Sequence, residues 1–71
     1  MTAARAPEPE SLDALARMHA ARGEHAAAVR YLTARLADAE GDALRATVTR
    51  LAQAHIATGQ SADARAVLER H

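Results

Sequence analysis

The chain has 71 residues, of which 35 are hydrophobic, but 21 of those are alanine, so one small domain with a thin core is the upper bound. There is no cysteine, which excludes disulfides, thiolate metal sites and cysteine nucleophiles. Nine arginines and no lysine balance nine acids, and that zero net charge argues against a dedicated nucleic-acid or membrane-surface binder.

Residues 1–9 hold two prolines and scattered small residues with no apolar period, and read as a flexible N-terminal arm. They contain no apolar stretch of signal-peptide length, so a cytoplasmic protein is expected; the alanine and arginine usage suggests a GC-rich bacterial source. The first helix is expected after Ser11, a good N-cap, with Leu12, Leu15, Ala16 and His19 on one stripe. Gly23 ends it, because glycine tolerates the left-handed backbone of a helix C-terminus. A second helix is expected from Glu24 or His25 to about Asp38, burying Ala28, Val29, Leu32 and Leu36 with Tyr31 on the flank.

The run from Asp38 to Asp42 breaks that pattern, and Asp42 is the expected cap of a third helix with Leu44, Val48, Leu51, Ala52 and His55 inward. Thr58-Gly59-Gln60-Ser61 terminates it, with Ser61 as the expected cap of a short fourth helix whose inward set is Ala64, Val67 and Leu68. No window alternates like a strand, so the fold class is all-α.

Shifting the chain by 36 residues against itself aligns Leu15 with Leu51, Ala16 with Ala52, His19 with His55 and Gly23 with Gly59. Ala28 then meets Ala64 and Leu32 meets Leu68, within 8 identities over the 21 residues from Leu12 to Leu32. Each half is therefore a helix, a glycine turn and a second helix. The expected domain covers residues 10–71, with the first repeat at 10–40 and the second at 41–71.

This order of residues resembles the tetratricopeptide repeat family: Leu15-Ala16, His19, Gly23, Ala28 and Leu32 in one unit, and Leu51-Ala52, His55, Gly59, Ala64 and Leu68 in the other. His19 and His55 stand where that family usually has tyrosine, Arg35 stands where a late alanine is usual, and the period is two longer than its usual ~34. The resemblance implies two tandem helix-turn-helix hairpins of four antiparallel helices. It also implies a protein–protein interaction module whose concave surface is lined by the first helix of each unit. The residues expected there are Asp13, Arg17, Thr49, Arg50, Gln53 and Ile56, with Ala20 and Ala57 completing an apolar floor. Arginine forks on that surface could hold a carboxylate or an acidic peptide segment. The family's clamp for C-terminal carboxylates uses lysines and asparagines, which Asp13 and Arg17 do not reproduce.

His19 and His55 lie in the apolar stripes and are expected to be buried as neutral imidazoles; two ligands fall short of a structural zinc site, so no metal and no cofactor is expected. No serine has a histidine beside it backed by a carboxylate, and the isolated glycines form no phosphate loop, so no enzyme is expected. A helix-turn-helix DNA reader over Met18 to Leu36 is a rival, with Arg30 and Arg35 as its only cations on the reading helix. The other alternative is a self-association or docking module of a larger assembly. Two repeats fall short of the usual three or more, so Leu36, Leu44, Val67 and Leu68 are expected to bury themselves in a homodimer, with twofold symmetry as the default. The expected partner is thus a protein, a peptide or a second copy, with neither nucleic acid nor membrane.

Overall fold

The computed structural model describes residues 9–71, with side chains from Ser11 onward. The expected arm lies outside the described residues, apart from Pro9, which lies in a helix. Four helices follow in chain order: α1 (Pro9–Ala21), α2 (His25–Leu36), α3 (Gly41–Ala57) and α4 (Ser61–Arg70). Among the described residues there is no strand, and no helix is long and apolar enough to cross a membrane.

The helix ends were legible at the glycines and misread at the serines. The described part of α1 runs from Pro9, so Ser11 lies within the helix. Ser11 is therefore not an N-cap. Ser61 is the first residue of α4 rather than its cap, and Asp42 lies inside the first turn of α3, where its charge suits the positive helix end. The N-cap positions of α2, α3 and α4 fall to Glu24, Glu40 and Gln60, none of which makes a side-chain capping bond.

The two glycine turns are built alike. The Glu24 N–H donates to the His19 carbonyl (2.8 Å) and the Gly23 N–H to the Ala20 carbonyl (3.0 Å). Thirty-six residues on, the Gln60 N–H donates to the His55 carbonyl (2.7 Å) and the Gly59 N–H to the Ile56 carbonyl (3.0 Å). These paired bonds define a Schellman motif, which needs a left-handed residue at its penultimate position. Gly23 and Gly59 supply it with φ of +80° and +78°. A Cβ at either site would meet no heavy atom within 4 Å, so glycine is required by its dihedral angle and not by crowding.

Packing runs in sequence: α1 on α2, α2 on α3, α3 on α4. The core cluster takes Ala16 from α1, Ala28 and Leu32 from α2, and Leu51 and Ala54 from α3, with Val67 of α4 and Leu36 of α2 packed against it. Alanines at the crossing points keep the backbones close, and the two leucines fill the space between them. The burial of α3 differs from expectation. Thr47, Val48, Leu51, Ala52 and Ala54 are all buried, because α3 touches α2 on one flank and α4 on the other and so hides two stripes instead of one. Thr47 is only 1% exposed and its hydroxyl donates to the Ala43 carbonyl at 2.7 Å, which satisfies the donor that burial would otherwise strand. Ile56 is left in solvent.

Gly23→Val puts a β-branched residue at φ +80°. Its expected cost is about 1–2 kcal/mol, the penalty of a left-handed backbone for a residue with a Cβ. Gly23→Asn, which tolerates that region, should cost less. Thermal melts of the three proteins check this, and equal midpoints would contradict the turn geometry.

Candidate binding cleft

A cleft of about 430 Å³ opens between α1 and α3, with α2 at its back. Its floor is Ala16 and Ala20 of α1, Ala28 and Leu32 of α2, and Ala54 of α3. The same small side chains that allow close helix packing leave this space unfilled. Arg17, His25, Arg50 and Gln53 stand around it. Two guanidinium groups, an amide and an imidazole thus surround an apolar floor, and among the described residues no carboxylate lines the cleft. Arginine stems are apolar and can lie along such a floor while their forks reach outward. The chemistry complementary to this lining is a negatively charged hydrogen-bond acceptor.

Of the concave-face residues expected from the sequence, Arg17, Arg50, Gln53 and the floor residue Ala20 line this cleft. Thr49, Ile56 and Ala57 do not. Thr49 is exposed and donates its hydroxyl to the Arg45 carbonyl of its own helix at 3.0 Å, while Ile56 is 60% exposed on another face. Asp13 has an internal role. Its Oδ2 accepts from Arg35 Nε at 3.2 Å, tying α1 to α2, and both side chains are largely covered. Its Oδ1 is buried without a hydrogen-bond partner, and the nearest cation is Arg50 Nη1 at 4.0 Å, an electrostatic contact too long for a hydrogen bond. Asp13 therefore ties α1 to α2 and lies within charge-contact distance of one of the cleft's two arginines.

Arg35 also approaches Asp38 at 3.6 Å. In the sequence it stood out as a departure from the resembled pattern and as a cation of the rival reading helix, and its partner 22 residues away carried no local signal. His25 in the cleft was equally hidden, since a histidine at a helix start reads as a solvated side chain.

His19 and His55 are not buried in the core. Both are half-buried, and each reaches across its glycine turn: His19 Nδ1 lies 2.8 Å from Glu24 Oε1, and His55 Nδ1 lies 2.9 Å from Gln60 Oε1. Glu24 and Gln60 are repeat equivalents, so the same clasp is made twice. It spans the two positions of the Schellman motif that are usually joined by an apolar contact. The His19 ring also stacks on Tyr31 with centroids 5.3 Å apart and planes 17° from parallel. The period pointed correctly to a shared role, but the role is to close a turn. Among the described residues no group of three or more histidines and acids is arranged to hold a metal ion.

Of the expected self-association residues, Leu36, Leu44 and Val67 are half-buried, and Leu36 and Val67 pack against the core cluster. Leu68 is 54% exposed. No family model, curated protein or solved structure matches the chain.

Asp13→Ala should cost about 1–3 kcal/mol, because it leaves the largely covered Arg35 without its best partner. Arg35→Ala should behave similarly, and the double variant should cost less than the sum, with a coupling of at least about 0.5 kcal/mol. Chemical denaturation of the four proteins measures this. Strict additivity would show that the pair does not hold α1 to α2.

Proposed function

We propose that the chain is a helical-repeat interaction module that binds an acidic segment of a partner protein in the α1–α3 cleft. The observation that carries this reading is the pairing of Arg17 and Arg50 over an alanine floor with no carboxylate among the lining residues. Planar guanidinium forks grip carboxylates through paired charge-assisted hydrogen bonds, and the apolar floor takes the methylene stem behind such a group. Arg17 has no ion pair among the described residues, so its charge is available to a ligand. The repeat order of the sequence and the successive packing of its helices support the likeness to tetratricopeptide repeats, in which this face is the binding face. The rival reading as a DNA-binding helix-turn-helix is weakened by Arg35. That residue is engaged with Asp13 and Asp38, and so only Arg30 would be left to seek phosphate on the reading helix.

A glutamate-rich peptide added to isotope-labelled protein should shift the amide signals of Ala16, Ala20 and Ala54, and a lysine-rich counterpart should not. Arg17→Ala and Arg50→Ala should each weaken binding by about tenfold or more, the worth of one charge-assisted hydrogen bond. Arg65→Ala, on α4, should leave binding unchanged. Equal losses from all three variants would reduce the effect to general charge attraction, and absence of any shift would reject the cleft as the site.

A further inference from the structure

The two repeats are alike in sequence but not in exposure, and the differences fall in one pattern. In α3, Thr47, Leu51 and Ala54 form a stripe that is 1%, 2% and 5% exposed. Their equivalents in α1 are Ser11, Leu15 and Met18, on the same i, i+4, i+7 spacing. There Ser11 is exposed, Leu15 is half-buried and Met18 is 40% exposed. In α2, Leu32 is 2% exposed; its equivalent in α4, Leu68, is 54% exposed. The buried members of each pair face one another at the α2–α3 seam. The open members lie at opposite ends of the helix row: the receiving stripe on α1, the inserting leucine on α4. Among the described residues, one molecule thus carries both halves of the interface it uses internally, unpaired.

We propose that a second copy of this chain fills that vacancy head-to-tail, with α4 of one copy packing on α1 of the next as α2 packs on α3 within each. Leu68 then occupies the place against Leu15 that Leu32 occupies against Leu51. Met18 takes the position of the smaller Ala54, and its unbranched, adaptable thioether fills the wider gap between chains. The contact is heterologous: each copy gives a different surface. It therefore builds a row or a ring instead of a closed twofold pair. The cleft arginines take no part in it, so this proposal stands or falls separately from acidic-peptide binding.

Two charge variants test it by complementation. Leu68→Arg spoils the α4 end and leaves α1 intact; Met18→Arg spoils the α1 end and leaves α4 intact. Both positions are exposed, so each variant should keep its helical circular dichroism; Leu68→Ser and Met18→Gln serve if either arginine variant unfolds. By sedimentation, the wild-type chain should grow in mass with concentration, because association is favoured by mass action. Each variant alone should remain a monomer, and an equimolar mixture should give twice the monomer mass and no more. A wild-type chain that stays monomeric at every concentration would overturn the proposal. So would Met18→Arg associating as the wild type does, which would mean pairing of α4 with α4, or a mixture of the two variants that stays monomeric.

Discussion

Close approach of α2 and α3 is the constraint on which the rest of this small protein depends. Ala28 is 0% exposed and Ala54 is 5% exposed, and between them Leu32 and Leu51 are each 2% exposed. With 21 alanines and 14 larger apolar residues, the chain cannot build a thick core, and it gains burial by bringing backbones together around a few leucines. The seam joins the two hairpins. Without it each hairpin would be a pair of short helices with one apolar face in water, a state too small to be stable on its own.

The same economy explains the cleft. Small residues at helix crossings leave room wherever two helices diverge, and α1 and α3 are both packed on α2 with space left between them. Polar side chains then define what the space can accept. Arg17 lines it from α1 and Arg50 from α3, the latter 4.0 Å from Asp13, whose other oxygen accepts from Arg35. The acid expected on the binding surface instead ties α1 to α2 through Arg35, a role that only three-dimensional proximity could reveal.

Much of the architecture was legible because it rests on local rules. The glycines at 23 and 59 announce left-handed helix ends, and apolar stripes give four helices at nearly their observed limits. The three caps expected at Ser11, Asp42 and Ser61 were wrong because residue type alone does not fix which residue starts a helix: all three lie within helices, Ser61 at the first position of α4. The histidines were misplaced because periodicity reports which face a residue occupies and not how far the neighbouring helix extends over it. In the cleft, Arg17, Arg50 and Gln53 were among the residues that the repeat resemblance implies for the concave face, whereas His25 was not, because its position depends on how α2 sits behind the other two.

Neighbour relations also explain why identical residues in the two repeats meet different environments. Leu32 and Leu68 are the same residue type at the same place in the repeat, yet one is sealed by α3 and the other is half in solvent. That contrast gives the most direct test of the account, through the stability of Leu32→Ala and Leu68→Ala measured by denaturation at high dilution. Loss of a sealed leucine should cost about 2–5 kcal/mol, enough to unfold much of a domain this small, whereas the exposed one should cost about 0.5 kcal/mol or less. Similar losses at both positions would contradict the claim that the α2–α3 seam holds the fold together.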